Sequence, residues 1–250
     1  MKMAGSSWRF DSMLFRRGKN QEPHGVLNFS PLWFMNGWEV SITFGDQLRV
    51  PAHYVCQGKR EGLTTSPFIS SIRGITWMKE IQEAAWLLSG MLRVMHPAQY
   101  SMAYQVGTEI MKDEKFRGRL EFWPIIFNAT SIIANRRCPL HRDSKGSFNI
   151  FDLLVTVGHY SKARLYLHPL GIQIPNMPGT VTGFSGRAFR HGVAAADGPR
   201  VCNAFYMRDS LRRYTRVRPA GCMTQEIYAP WVGSKGTQHL SNLSPNPFTI

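Results

Sequence analysis

Two side chains that could share a metal ion open the segment HRDSKGSFN, residues 141–149. The letters HRD also begin the catalytic loop of protein kinases, but that loop requires Asn five positions after the Asp, where this chain has Phe148. Residues i and i+2 of an extended segment point the same way, so His141 and Asp143 can reach one ion. The spacing therefore favours half of a metal site over a kinase loop.

A third metal ligand is available fifty residues downstream, where His191 lies on a predicted late strand in RAFRHGVAA. Two His and one carboxylate on one face of the ion form the ligand set of non-haem Fe(II) oxygenases, which keep the remaining positions open. Arg200, nine residues after His191, begins another predicted strand. If it is buried, its guanidinium can hold a small dicarboxylate in a two-pronged geometry; a surface salt bridge is the alternative.

The elements that must position these side chains are short strands. Beyond about residue 120, apolar runs alternate with turn signals such as PNMPG and ADGP. Upstream, helical spacing of apolar residues runs from Trp77 to Met95, Pro97 interrupts it, and a second helical segment ends near Lys112. Alternation over residues 38–44 predicts an earlier strand.

The predicted fold is α+β, a double-stranded β-helix (jelly roll) core with helices backing one sheet. We expect one domain over residues 1–250. Its parts are N-terminal strands and supporting helices (1–120), the jelly-roll core (121–214) and a C-terminal segment (215–250), which is polar in its last stretch and predicted to be poorly packed or to follow the surface.

Charge points to a polyanionic partner. Thirty Lys and Arg against sixteen Asp and Glu give a net charge of +14 and a pI near 10.1, which favours nucleic acid; an inert basic surface is the alternative. Two basic clusters, which could flank a groove, comprise Lys2, Arg9, Arg16, Arg17 and Lys19, and Arg200, Arg208, Arg212, Arg213, Arg216 and Arg218.

Cysteine usage and hydropathy favour an intracellular chain. The four cysteines are far apart and form no C-x-x-C motif, which argues against a zinc ribbon or a disulfide framework. The N-terminus lacks the apolar region of a signal peptide, and no window approaches the ~18 apolar residues of a membrane span.

A family resemblance rests on four runs: NRRCPLHRD, FDLLVTVGHY, LGIQIPNMPGTVTGFSGRAFRHGV and RVCNAFYMRD. Together they resemble the fungal branch of the TET/JBP family of Fe(II)- and 2-oxoglutarate-dependent DNA dioxygenases, over about residues 121–214. The resemblance implies Fe(II) as cofactor, with 2-oxoglutarate and O₂ as co-substrates. It also implies that the iron ligands are His141, Asp143 and His191.

The same resemblance assigns the remaining site residues. Arg200 would pair with the distal carboxylate of 2-oxoglutarate. Cys202 stands where animal relatives carry a Ser that supports this carboxylate, and Asn135 resembles a co-substrate Asn of the AlkB-type enzymes, with an ordinary strand-end residue as the alternative. Tyr206 would stack on a flipped methylated base, an inward-facing core Tyr being the alternative. Arg208, expected on the same strand face as Tyr206, replaces a base-contacting His.

The implied function is oxidation of 5-methylcytosine in DNA to 5-hydroxymethylcytosine, with the extent of further oxidation open and N6-methyladenine as a rival substrate. Methylated DNA would be the partner, no membrane would be involved, and we expect a nuclear monomer. Two alternatives stay open: a 2-oxoglutarate oxygenase acting on a protein or a small molecule, and an inactive DNA-binding relative.

Overall fold

Strands from the second half of the chain, joined by one strand from near its start, form two antiparallel sheets. In the computed structural model, residues 8–9, 11–16, 24–34, 63–144, 146–224 and 226 are described. The strand predicted over residues 38–44 and the polar stretch from residue 233 lie outside these ranges. The described strands are β1 Gly25–Phe29, β2 Trp33–Phe34, β3 Leu63–Thr64, β4 Ala129–Ala134, β5 Cys138–His141, β6 Asp152–Gly158, β7 Arg164–Leu167, β8 Ile172–Pro175, β9 Val181–Phe184, β10 His191–Val193 and β11 Arg200–Tyr206.

The two sheets have the strand order of a jelly roll. The major sheet runs β1-β4-β11-β6-β9 and the minor sheet β5-β10-β7-β8, while β2 and β3 form a separate pair. Every pairing is antiparallel. Phe184 of the major sheet packs with Leu165, Leu167 and Val193 of the minor sheet. The predicted double-stranded β-helix core is therefore confirmed.

Helices cover the other face of the major sheet, as predicted. They are α1 Ile72–Glu80, α2 Gln82–Met95, α3 Pro97–Met111, α4 Glu114–Leu120 and α5 Asp209–Tyr214. One buried cluster joins Leu88 and Leu92 of α2 and Val106 of α3 to Leu153 and Phe205 of the sheet. The apolar stripe of these helices thus packs on the sheet face that points away from the minor sheet.

Local sequence explains where the helices begin and end. Ser71 caps α1 by accepting the Gly74 N–H, and Pro97 occupies the first turn of α3, where the N–H it lacks would have no intrahelical partner. The spacing from Trp77 to Met95 predicted one continuous helix. Instead the helix is interrupted at Ile81, whose ψ of 1° departs from helical geometry, and Ala84 is exposed rather than on the buried face.

The strand predicted in RAFRHGVAA is shorter than expected. Only His191–Val193 is extended, because the preceding residues form a turn in which the Phe189 N–H donates to the Ser185 carbonyl at 3.0 Å. The Ser185 hydroxyl also accepts the Ala188 N–H at 3.2 Å. This turn sets the point at which β10 begins, and His191 is its first residue.

Candidate metal centre and adjoining arginine pocket

Strand pairing brings the two histidines together. His141 is the last residue of β5 and His191 the first of β10, and the register places them directly opposite each other. Asp143 follows two residues after His141, and its N–H donates to the Gly186 carbonyl at 2.9 Å. The turn that precedes β10 therefore also holds the backbone of Asp143.

The three side chains converge as a metal site requires. The ring centroids of His141 and His191 are 4.3 Å apart. The Nε2 atom of His141 is 3.7 Å from Oδ1 of Asp143, and that of His191 is 3.7 Å from Oδ2. One ligand atom from each of the three residues lies within 4.8 Å of the other two. Two imidazoles and a carboxylate in this arrangement suit a divalent iron ion with open coordination positions.

Hydrogen bonds orient both imidazoles for metal binding. Nδ1 of His141 lies 2.8 Å from the Pro139 carbonyl, and Nδ1 of His191 lies 3.0 Å from the Phe189 carbonyl. A carbonyl can only accept, so each Nδ1 carries the proton and each Nε2 offers its lone pair to the centre. Burial, and then the neighbouring His191, lower the pKa of His141 to about 4, which keeps this ligand neutral at pH 7. His141, Asp143 and His191 therefore have the chemistry that a divalent iron ion requires.

Gly186 and Asp152 lie close to the carboxylate of Asp143. A Cβ atom on Gly186 would lie 2.7 Å from an oxygen of Asp143 and 2.7 Å from an oxygen of Asp152. Those distances are too short for any side chain, so glycine permits the close approach of two carboxyl groups. Desolvation, and then the charge of Asp143, raise the pKa of Asp152 well above its usual range, against a hydrogen bond from the Gly186 N–H.

An N-terminal segment covers the metal centre from the other side. The ring of the buried Trp8 lies 4.6 Å from the ring of His141, and Arg9 forms an ion pair with Asp143 at 2.8 Å. The guanidinium of Arg136 stacks 5.1 Å from the Trp8 ring and donates to the Arg9 carbonyl at 3.2 Å. Residues from the start of the chain thus neutralise the ligand carboxylate and shield one imidazole.

An arginine pocket adjoins the metal centre through Arg136. We give this name to a cavity of about 250 Å³ whose lining includes Arg16, Asn135, Arg136, Arg137 and Arg200. Met13, Leu14, Phe15, Ala195, Ala196 and Gly198 complete the lining. The lining contains four arginines and no Asp or Glu, so the composition of the pocket suits an anionic ligand.

Hydrogen bonds to Asn135 and Arg136 hold Arg200 in the lining of this pocket. Its N–H donates to the Asn135 side-chain oxygen at 2.8 Å, and its guanidinium donates to the Arg136 carbonyl at 2.5 Å. Asn135 lies just past the end of β4 with φ of 55°, a conformation that Asn tolerates better than most residues. In this structure Asn135 therefore has a strand-end role that anchors Arg200.

The side chains of Arg136 and Arg200 are buried, and neither has a carboxylate partner among the described residues. The two residues are 5% and 3% exposed, and no Asp or Glu within the described part of the chain forms an ion pair with either. Cys202 is buried near both, and burial raises the pKa of its thiol to about 11 despite the charge of Arg200. The thiol is therefore neutral, and the two cations remain to be compensated.

Tyr206 and Arg208 lie together at the far end of β11. The half-buried Tyr206 is its last residue, and the Arg208 guanidinium is 5.8 Å from the Tyr206 ring. The prediction that Arg208 belongs to the strand was wrong. It precedes α5, and its N–H donates to the Asn128 side chain at 2.8 Å, because the chain leaves the sheet after Tyr206.

Sequence reasoning missed the residues that surround the predicted ligands: Trp8, Arg9, Arg136, Asp152 and Gly186. Arg9 had been counted only in the N-terminal basic cluster, of which Lys2, Arg17 and Lys19 lie outside the described ranges. Within the second cluster, Arg212 and Arg213 both pair with Asp209 at 2.6 Å. The adjacent aromatic and basic residues Trp8 and Arg9 were the one local sequence feature that could have drawn attention to this segment. Such a pair does not by itself indicate a metal site.

Comparison with known proteins places the metal residues in a described family. The family model Tet_JBP, described as the oxygenase domain of the 2OGFeDO superfamily, matches residues 60–209, three fifths of the chain. No curated protein sequence matches. The solved structure of NgTET1 in complex with 5mC DNA is similar at 16% identity with a TM-score of 0.47; the match covers 60% of this chain and 57% of that one, little more than half of its length.

Helix length was also compared with what a membrane requires. Among the described helices, none is both long and apolar enough to cross a bilayer. The matched residues 60–209 include every predicted site residue, from Asn135 to Arg208, whereas Trp8 and Arg9 precede them.

Proposed function

The chain belongs to the Tet_JBP family, the oxygenase domain of the 2OGFeDO superfamily, and from this membership we propose that it oxidises the methyl group of a methylated base in DNA. It is a 2-oxoglutarate-dependent dioxygenase that uses Fe(II), 2-oxoglutarate and O₂. The observation that carries the proposal is the convergence of His141, Asp143 and His191 within the matched residues. The assignment to a fungal branch stays a prediction.

His141, Asp143 and His191 would hold the iron. When bound, the metal supplies the oxidation, in which a substrate methyl group, 2-oxoglutarate and O₂ give a hydroxymethyl group, succinate and CO₂. The protein contributes a set of ligands whose protonation already suits the ion, since both Nδ1 atoms are engaged by carbonyls and the pKa of His141 is low. Trp8 limits access of water to the His141 side.

The arginine pocket would hold 2-oxoglutarate through its distal carboxylate. Arg200 is the best-placed partner, because its guanidinium is buried, fixed by the Arg136 carbonyl and without a carboxylate among the described residues. A buried guanidinium cannot lose its proton, so a bound dicarboxylate relieves an otherwise uncompensated charge. Cys202 lies beside Arg200 as a neutral thiol, and Asn135 keeps the backbone of Arg200 in position.

Tyr206 would support the base that is oxidised. A methyl group inside a duplex cannot reach a buried metal, so the nucleotide must flip out at a cost of a few kcal/mol, which stacking on an aromatic ring offsets. Tyr206 is only half-buried, and the Arg208 guanidinium near its ring adds a cation beside the same surface. We propose 5-methylcytosine as the base and 5-hydroxymethylcytosine as the first product, with N6-methyladenine as the rival substrate.

Charge supports DNA as the substrate. A net charge of +14 suits contacts to phosphates, which supply affinity without reading sequence. Exposed arginines near the metal centre, Arg137, Arg142 and Arg190, provide such contacts. A protein that acts on genomic DNA would reside in the nucleus, and we propose that location together with a monomeric state.

The test is nucleoside mass spectrometry after incubation with Fe(II), 2-oxoglutarate, O₂ and two duplexes that differ only in carrying 5-methylcytosine or N6-methyladenine. We expect oxidised bases that vanish when 2-oxoglutarate is omitted, and the ratio between duplexes identifies the preferred base. Succinate formation with neither duplex altered would instead favour a protein or small-molecule substrate. An iron-loaded protein that forms no succinate would contradict the enzymatic assignment.

A further inference from the structure

An exposed aromatic side chain in the segment that follows the metal ligand Asp143 has no role in the chemistry described above. Phe148 is 58% exposed, five residues after Asp143. A chain of five residues spans at most about 17 Å, so the ring lies within the reach of one or two nucleotides from the metal ligands. Single exposed apolar residues are common on protein surfaces, so exposure alone assigns nothing.

The surroundings of Phe148 distinguish it from an ordinary exposed residue. The guanidinium of Arg187 lies 5.0 Å from its ring and donates to the Ser144 carbonyl at 3.3 Å. The Ser185 hydroxyl approaches the Ser147 carbonyl at 3.4 Å, and the Asp143 N–H donates to the Gly186 carbonyl. Contacts of this kind tie the segment that follows Asp143 to the turn that precedes His191.

Phe148 therefore lies in a segment that contacts the turn preceding His191. Its partner Arg187 lies four residues before His191, and Arg142 and Arg190 are exposed beside the same two ligands. Within residues 141–149 and 185–191 the only acidic residue is Asp143, which belongs to the metal centre. These two segments thus combine an exposed aromatic ring with cations, which suits a polyanion whose bases can stack.

We propose that Phe148 is a wedge that enters the base stack of a methylated duplex at the step from which the target nucleotide is flipped, while Arg187 contacts an adjacent phosphate. The inference rests on the proposed oxidation of a methylated base in DNA. Apolar side chains inserted between base steps partly unstack them, and an inserted ring replaces stacking lost by the neighbouring bases. Phe148 would thus lower the free-energy cost of flipping, whereas Tyr206 would support the base after flipping.

A wedge is needed only where there is a duplex to open. Phe148→Ala should lower kcat/KM for a methylated duplex by about tenfold, the effect of losing one base-aromatic contact. For the same methylated strand in single-stranded form, kcat/KM should remain within about twofold of wild type, because an unpaired base needs no wedge. Phe148→Leu should restore most of the duplex activity, since Leu also serves as a wedge.

Phe122 provides the matched control. It is also an exposed Phe, at 46%, with the Lys79 ammonium 6.0 Å from its ring, but it follows α4 on the helical side of the molecule. Phe122→Ala should leave both activities at the wild-type level. Thermal unfolding and DNA-independent succinate formation, measured on every variant, should also match wild type because both rings are exposed.

Three results would overturn the wedge. Phe148→Ala could match Phe122→Ala on the duplex, which would leave the ring without a role. It could lose equal activity on duplex and single strand, which would make Phe148 a base-binding surface rather than a wedge. Wild-type protein that forms succinate but oxidises neither DNA form would reject the proposed function and the wedge together, and that result is visible before any variant is made.

Discussion

The metal centre and the arginine pocket adjoin each other, and burial acts on them in opposite ways. In the metal centre, burial lowers the pKa of His141 to about 4, so its imidazole is uncharged at neutral pH. Arg136 and Arg200 are buried to a similar degree, but a guanidinium does not deprotonate in proteins. The metal centre is thus ready to receive a cation, whereas the pocket retains a positive charge that calls for an anion.

The metal centre and the arginine pocket also differ in the contacts that hold their side chains in place. In the metal centre, the imidazoles are oriented by carbonyls two residues away, those of Pro139 and Phe189, while Asp143 is held by the distant Gly186 and Arg9. The arginine pocket depends on long-range contacts between β4, β11 and the N-terminal segment. Substitutions in the two regions should therefore fail in different assays.

The largest effect should follow His191→Ala, which removes one metal ligand. We expect iron-dependent succinate formation to fall below detection, because two ligands cannot hold the ion in its open geometry. The fold should persist, as judged by circular dichroism, since His191 lies at a strand end. His168→Ala is the control, an exposed histidine after β7 that should keep full activity. Wild-type turnover in His191→Ala would refute the ligand assignment.

Gly186→Ala tests how tightly the metal centre is built. The new Cβ would lie 2.7 Å from an oxygen of Asp143, so the carboxylate must move. We expect metal affinity, measured by titration with Mn(II) or Fe(II), to weaken by about 10- to 100-fold, as for other groups that orient a ligand. Gly90→Ala, with no atom within 4 Å of the added Cβ, should have no effect. Unchanged metal affinity in Gly186→Ala would mean that the close approach of Gly186 does not position the Asp143 carboxylate.

Arg200→Lys tests the arginine pocket without removing charge. Lys cannot form the two-pronged contact with a carboxylate, so the KM for 2-oxoglutarate should rise by about tenfold or more while metal affinity stays the same. Arg164→Lys, at an exposed position that begins β7, should leave that KM unchanged. A loss of metal affinity together with co-substrate affinity would show that the arginine pocket and the metal centre do not act independently.

The last prediction concerns stability and pH rather than activity. His141 has an ordinary pKa of 6.5 and a folded pKa of about 4, so between those values the unfolded chain binds more protons. The free energy of unfolding of metal-free protein, relative to His141→Gln, should therefore rise with pH from about 4 to 6.5, by at most about 3 kcal/mol, and then level off. Urea unfolding at several pH values measures this difference, and a flat difference would contradict the lowered pKa.

The sequence by itself determined the ligand types, their order and the class of fold. Alternating apolar runs separated by turns predicted the jelly roll because strand periodicity is local, and i, i+2 spacing placed His141 and Asp143 on one side for the same reason. The helical spacing after Trp77 likewise predicted helices, although the interruption at Ile81 was missed.

Only the tertiary structure decided what surrounds these residues. Arg9 reaches a carboxylate 134 positions away, and Trp8 packs on the ring of His141. The Gly186 turn brings together Asp143 and Asp152, which no local pattern connects. The register that sets His191 opposite His141 is likewise a property of strand pairing. Burial then decides protonation, because a side chain's pKa depends on neighbours contributed by distant segments, while the sequence fixes only which groups can titrate.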